Sequence, residues 1–362
     1  MREKYIGIMS GTSLDGIDIA LCSIDSKSCT LEASLEYPFN KNLKMDILSI
    51  INGVTTVKKI GEIDYRLAIE FSKAVNLLLE ENSLKPKDIR AIGSHGQTIW
   101  HNPNGEYPFS MQLGNPSLLA VKTNIDVVAD FRAKDIAVGG EGAPFAPAFH
   151  KELFSYIDGC AVVNIGGMAN ISLFSPTIIG YDCGCGNMLM DLWINEVKSE
   201  PYDRDGLWAK SGKVHQELLD SFLSDNYFKL SYPKSTGREY FNKEFLRKYL
   251  EPFDKIADED IQATLLELTV KSIANEIKKF NIKTLLVCGG GARNSYLMEK
   301  MQLELPLIKV DTTDSYGVSS DNMEAMIFAW FAYKRLHNEK IDLKTVTGAT
   351  KNTILGGIYA SD

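Results

Sequence analysis

Tyr5-Ile6-Gly7-Ile8-Met9-Ser10-Gly11-Thr12-Ser13-Leu14-Asp15-Gly16-Ile17-Asp18-Ile19-Ala20-Leu21 is the stretch that decides how this chain folds. Tyr5–Met9 is apolar, and Ile17–Ile24 alternates through Ile17, Ile19 and Leu21, so both read as strands. The link between them is short and rich in glycine and hydroxyls, which makes the pair a hairpin. Leu31–Phe39 can extend it to a meander. The same plan returns further on: Cys160–Ile165 is an apolar strand, Gly166-Gly167-Met168-Ala169-Asn170 a small-residue link, and Ile171–Phe174 the return strand. Identity between the two stretches is low, but their architecture matches. The chain therefore reads as an α/β protein built from two duplicated halves.

The whole-chain properties fit this plan. With 362 residues, two domains are expected at roughly 150 residues each. The composition, 44% hydrophobic and 24% charged, is that of a globular protein with a sizeable core. A net charge of -8 with no basic run argues against a nucleic-acid surface. No stretch is apolar enough for long enough to span a bilayer, and Met1–Ile6 has no signal-peptide pattern, so a cytoplasmic location is expected. Cys22, Cys29, Cys160, Cys183, Cys185 and Cys288 are scattered, mostly in or beside strand-like runs, as reduced and buried thiols would be.

Several small-residue links sit at strand ends. In Gly11–Gly16 the glycines permit positive φ, so backbone amides can converge on a phosphate, with Asp15 and Asp18 near enough to hold magnesium through water. The loop is equally explained as a tight hairpin. It is not a Walker A loop, because Ile17 stands where that motif needs lysine, and a strand rather than a helix follows. Ser94-His95-Gly96-Gln97-Thr98 reads as a polar link after the strand Ile89–Gly93, and Ile125–Phe131 as a strand. Gly139–Pro144 reads as a mobile link between the halves.

In Gly180-Tyr181-Asp182-Cys183-Gly184-Cys185-Gly186-Asn187, the strand Thr177–Tyr181 leads to an acid above a glycine-rich turn, which opens the helix Met188–Val197. Asp182 there is either a helix cap, a role worth about 1 kcal/mol, or a group waiting for a proton or hydroxyl. Gly184-x-Gly186 lacks the third glycine of a dinucleotide fingerprint. Ser235-Thr236-Gly237-Arg238-Glu239-Tyr240 is polar and aromatic, suited to a sugar or an anion. Gly289-Gly290-Gly291 follows the buried strand Thr284–Cys288 and lets a flat ring or a phosphate approach the backbone.

Two hairpins for phosphates, an acid and a late glycine triplet follow the plan of the actin, Hsp70 and sugar-kinase superfamily. The ordered set Met9–Asp18, Ser94–Thr98, Asn164–Asn170, Asp182-x-Gly184-x-Gly186-Asn187, Ser235–Glu239 and Glu324-Ala325 closely resembles the anhydro-N-acetylmuramic acid kinase family over essentially the whole chain. The resemblance implies two duplicated actin-like (ribonuclease H-like) ATPase domains around a central cleft. It implies a kinase of peptidoglycan recycling that takes ATP, water and 1,6-anhydro-N-acetylmuramic acid to N-acetylmuramic acid 6-phosphate and ADP, working as a homodimer. The competing functions are a phosphatase of polyphosphate or nucleotides in the same superfamily, and a non-enzymatic ATP-driven binder.

The site residues follow from the same resemblance. The ATP loop maps onto Gly11, Thr12, Ser13, Leu14, Asp15, Gly16, Ile17 and Asp18, with Gly166, Gly167, Gly289, Gly290 and Gly291 as further nucleotide contacts. Asp182 maps onto the catalytic base. His95, Gln97, Arg132, Asn187, Arg238 and Glu324 are the substrate candidates, and Asp15 and Asp18 the Mg2+ candidates. The family usually reads Asp-Thr-Gly-Pro-Gly-Asn at the base; here Cys183 and Cys185 replace Thr and Pro. The first domain is expected over 1–130 with about 340–362. The second is expected over 131–339 with a sugar-binding insertion, and hinging near Asp130–Ala143.

Overall fold

The computed structural model describes residues 2–11, 14, 16–174, 176–253 and 255–362. β1 (Glu3–Ser10) and β2 (Gly16–Ile24) form the expected hairpin, with Ile8 opposite Ile19, and β3 (Cys29–Pro38) continues the meander. Then come α1 (Lys41–Ile51) and α2 (Val57–Glu81). α2 buries Ile63, Leu67, Phe71, Val75 and Leu78, the three- and four-residue spacing of an amphipathic helix. β4 (Ala91–Asn102), β5 (Phe109–Leu113), α3 (Pro116–Thr123), β6 (Val127–Ala129), α4 (Phe131–Ala137) and α5 (Ala146–Phe154) complete this run. Asn115 caps α3 through its side chain, 2.9 Å from the Leu118 amide, ahead of a proline in the first turn.

The second hairpin is β7 (Cys160–Ile165) with β8 (Met168–Leu173), joined by β9 (Ile179–Cys185). α6 (Met188–Lys198), α7 (Leu207–Ser211), α8 (Gln216–Leu223), α9 (Asn226–Lys229), α10 (Lys243–Leu250) and α11 (Asp258–Ile277) precede β10 (Thr284–Cys288), α12 (Ser295–Glu304) and β11 (Lys309–Thr312). The chain closes with α13 (Met323–Leu336), α14 (Lys344–Thr347) and β12 (Gly357–Tyr359).

The two sheets share one topology. Among the described residues the first runs β12-β6-β4-β1-β2-β3, with β5 on β4, and the second runs β11-β10-β7-β8-β9. In each, the hairpin and its third strand pair antiparallel, and the opening strand then pairs parallel with the next strand, which pairs parallel with its outer neighbour. Parallel neighbours demand helical crossovers, which α2, α3, α11 and α12 provide. The duplicated α/β fold read from the hairpins is therefore the fold observed. No helix among the described residues is long and apolar enough to cross a membrane.

The units divide as Met1–Leu153 with Asn322–Asp362, and Phe154–Asp321. This differs from the expected boundaries at 130/131 and about 340, and packing is the reason. α13 lies against β1 and β4 of the first sheet. The glycine-rich segment expected to be a mobile link is tied inside the first unit instead. Buried Asp135 accepts from the Gly142 amide at 2.8 Å and from the Thr347 hydroxyl at 3.0 Å, and the Glu141 amide donates to Thr347 O at 2.8 Å.

Three local expectations change. Ser94–Thr98 is no link: β4 runs through it, with Gln97 paired to Leu113 of β5. Phe131 starts a helix rather than ending a strand. Cys183–Cys185 is strand, not turn.

Candidate active site

In the first unit, the β1–β2 loop is held by the Leu14 amide donating to Gly11 O at 3.2 Å, with Leu14 at φ 55°. Leu14 and Ile17 are fully buried, so what they can offer a nucleotide is main chain only, and Gly16 already lies in β2. Thr12, Ser13 and Asp15 lie outside the described residues. Gln97 is committed within the sheet: its Oε1 accepts from Ser10 Oγ at 2.5 Å and its Nε2 donates to Thr98 O.

His95, Arg132, Glu324 and Asp18 interact with one another, directly or through charge. His95 Nδ1 is 2.8 Å from Gly96 O, and a carbonyl can only accept, so Nδ1 carries the proton. Nε2 therefore accepts from Arg132, whose Nε and Nη2 lie 3.1 and 3.0 Å away. Burial, with Arg132 beside it, lowers the His95 pKa to about 3, so the ring is neutral. Burial lowers Arg132 to about 10, with Glu324 opposing, so it stays cationic at neutral pH. Arg132 is thus a fixed cation, oriented by a neutral histidine. Although the Glu324 side chain reaches solvent, the protein around it raises its carboxyl. The Asp18 charge adds to the rise, and Arg132 opposes it.

A carboxyl raised by the charge of a neighbouring carboxylate suits a hard divalent cation shared with phosphate oxygens. Among the described residues no group of three or more His, Cys, Asp or Glu forms a metal cluster.

In the second unit the expected turn at Asp182 moves. β9 continues to Cys185, and the turn is Gly186-Asn187. Asn170 pairs with Asp182 but Ala169 pairs with Gly184, so Cys183 is the extra residue of a β-bulge. Cys183 and Cys185 are buried in the core. Burial raises both thiols, Cys185 to about 12, so neither is reactive at neutral pH. Asp182 is left half-buried, in mid-strand. Its Oδ2 accepts from the Thr236 amide at 2.9 Å and the Ser235 hydroxyl at 3.1 Å. Oδ1 has no protein hydrogen bond among the described residues. Burial raises the carboxyl, the two donors lower it, and the charge of Glu239 raises it again; the net direction is up.

The Gly166–Gly167 hairpin is locked to the start of α6: its carbonyls accept from the Asn187 and Met188 amides at 2.8 and 3.1 Å. Asn187 Nδ2 donates to Ile165 O at 3.2 Å, a structural bond. In the glycine triplet, a Cβ on Gly289 would lie 2.3 Å from Asn164 Oδ1, and one on Gly291 2.5 Å from Ile165. These two are glycines because β7 passes close. Gly290 is the exposed member. With Asn187, Asp191, Tyr202, Arg204 and Arg293 it lines a cavity of about 430 Å³. Arg238 is exposed.

The family model for anhydro-N-acetylmuramic acid kinase matches residues 3–361. The chain belongs to the anhydro-N-acetylmuramic acid kinase family. A protein of that name from Sulfurovum sp. (strain NBC37-1) is 57% identical over 360 residues, covering 99% of both chains. Another, from Sulfurimonas denitrificans, is 56% identical over 367 residues, covering 99% of this chain and all of its own. One from Aliivibrio fischeri is 50% identical over 370 residues, again covering 99% of this chain and all of its own.

Within this kinase family frame, one cavity residue escaped the sequence reading. Asp191, on the first turn of α6, has its pKa raised to about 7 by burial and then by Asp203. Asp203 is spent on the Trp208 and Ala209 amides at 3.0 and 2.9 Å, whereas the Asp191 carboxyl meets no hydrogen-bond donor among the described residues. An acid one turn after Gly186-Asn187 was the only signal, and helix first turns favour acids anyway.

Proposed function

We propose that this kinase uses ATP to open the internal ether of 1,6-anhydro-N-acetylmuramic acid and to phosphorylate the oxygen that leaves, as a cytoplasmic enzyme of peptidoglycan recycling and a homodimer. The observation that carries the reading is Asp182: a half-buried carboxylate with one oxygen fixed by Thr236 and Ser235 and the other open. Asp182 takes a proton from a water molecule as that water attacks the anomeric carbon. The C1–O6 bond breaks, its electrons pass to O6, and O6 attacks the γ-phosphorus as ADP leaves. Asp182 then holds the proton the water lost.

In this reading Arg132 meets the substrate's lactyl carboxylate, held in direction by His95, with Arg238 as a second cation at the surface. Main-chain amides of Gly11 and Gly167 face the phosphates, whereas the Gly166 amide is given to Met168 O within the hairpin. Asp18 and Glu324 would hold Mg2+, which when bound neutralises charge on the transferring phosphate. The six cysteines, all free and buried, fit a reducing compartment.

The test is ADP release by the purified protein with ATP and the anhydro-sugar. Release should depend on the sugar and be matched by sugar 6-phosphate. Equal ATP hydrolysis without sugar would favour the phosphatase reading instead.

The cavity at Gly290 is assigned to the nucleoside, with Asp191 accepting a hydrogen bond from it. Asp191→Ala should raise the KM for ATP about tenfold, the value of one charge-assisted hydrogen bond, with kcat unchanged. Steady-state kinetics in both substrates checks this; an unchanged KM for ATP removes Asp191 from the nucleoside site.

A further inference from the structure

We propose that the buried ion pair of Lys234 with Glu276 is a positioning device for Asp182, an inference that rests on reading Asp182 as the base. Lys234 Nζ lies 2.8 Å from Glu276 Oε1, with the two side chains only 2% and 4% exposed. From Leu230 to Ser235 Lys234 is the one buried residue; Tyr232 stacks on Tyr181 from the exposed side, so Lys234 is the buried anchor of this stretch. The residues that follow the anchor are the ones that bind the carboxylate: Ser235 Oγ and the Thr236 amide both reach Asp182 Oδ2. The anchor's own carbonyl accepts from the Asp182 amide at 3.1 Å.

The pair also holds Asp182 from the other side. Glu276 Oε2 accepts from the Tyr181 hydroxyl at 3.1 Å, fixing the residue before the base, and from Lys279 at 2.6 Å. Tyr227 lies under the Lys234 ammonium, 4.9 Å from ring centroid to nitrogen, and its hydroxyl donates to Asp182 O at 2.9 Å. Glu276 on α11 therefore ties down both the strand that carries the base and the loop that orients it. An apolar anchor could bury as well, and often at less cost, because an ion pair gives up hydration on both partners. What the charges add is direction: Lys234 can satisfy its ammonium only with the loop in one place.

The groups facing Asp182 are Glu239, Ser235 and Thr236 from the loop, Tyr227 from α9, and Lys234 and Glu276 behind them. Ser235 and Thr236 favour the ionised carboxylate; Glu239 and burial oppose it. If the anchor fails, the two donors leave and the proton is held more tightly. The sign follows: the acid limb of kcat/KM moves to higher pH.

The experiment is the pH profile of sugar-dependent ADP release for Glu276→Gln and for the double variant Lys234→Met/Glu276→Leu. The double variant removes both charges together, so it keeps the test open should the single one fail to fold. Both should lose about tenfold to a hundredfold in kcat, the scale of a misplaced catalytic group, keep the KM for ATP, and show the acid limb displaced upward. A double variant with wild-type turnover and limb overturns the proposal, because a merely structural pair is replaceable by apolar groups. A lowered kcat with an unmoved limb also overturns it. Asp182→Asn separates the two ideas: if that variant still turns over, the base reading fails and this inference with it. If it is dead while the limb of Glu276→Gln stays put, only this inference falls.

Discussion

Asp182→Asn should abolish sugar-dependent ADP release, lowering turnover by about a thousandfold, within the 10²–10⁴ range of a positioned general base. The amide is nearly isosteric with the carboxylate, and its oxygen can still accept from the Thr236 amide and Ser235 hydroxyl that now meet Oδ2. It cannot take a proton from water. Affinity for ATP should stay near wild type, since the cavity at Gly290 and Asp191 does not include this residue. The wild-type pH profile carries a second, signed expectation. The Asp182 pKa is raised above the ordinary value, first by burial. Activity should therefore fall as pH drops through a value above ~3.9, where a free aspartate titrates. The stability sign is the reverse of an ion-paired acid. A carboxyl raised in the fold disfavours folding once pH exceeds its unfolded value, so Asn should leave the melting temperature at neutral pH unchanged or higher. Loss of turnover with an intact melt locates the defect in chemistry. Near-normal turnover would remove Asp182 from the mechanism.

That acid was legible in the sequence as a functional residue, but its setting was not. Period-2 alternation and small-residue links announce both hairpins, because a strand with one face on a core must alternate and a tight link needs small residues. The bulge at Cys183 breaks the alternation, so Asp182-Cys183-Gly184-Cys185 reads as a glycine turn although Cys183 and Cys185 are core side chains. The donors to Asp182 come from residues more than fifty positions away, and the buried partner of their anchor from α11. Nothing local marks such pairings. His95 was visible as a polar residue in a motif. That it is neutral, with Arg132 donating to Nε2, depends on burial and on Gly96 O, which only coordinates show. The unit boundaries failed for a related reason: α13 returns to the first sheet across the whole second unit, and its seat there consists of two glycines.

Those glycines carry the second large expectation. Gly93→Ala should destabilise the first unit by about 3 kcal/mol, the upper end of ordinary overpacking, lowering its melting temperature by on the order of 10 °C for a unit of this size. α13 crosses β1 and β4 backbone to backbone. A Cβ on Gly93 would stand 1.9 Å from Phe328 O, and one on Gly7 1.9 Å from Ala325 O. Side-chain rotation cannot relieve either clash, because the obstacle is helix main chain; the helix must lift from the sheet. α13 also carries Glu324, and its Phe328 ring lies 4.7 Å from His95, while Phe331 packs 5.0 Å from Phe145. Lifting it should therefore cost activity as well as stability, by loosening the histidine that orients Arg132. Thermal melts of Gly93→Ala and Gly7→Ala measure the first effect, and ADP release at a temperature where both variants are folded measures the second. Gly61→Ala is the control. Gly61 lies in α2 with nothing within 4 Å of a new Cβ, so alanine there should hold or raise the melting temperature through helix propensity alone. A Gly93→Ala protein melting with the Gly61→Ala control would show that α13 is free to shift, and that its glycine seat does not fix the His95–Arg132 pair.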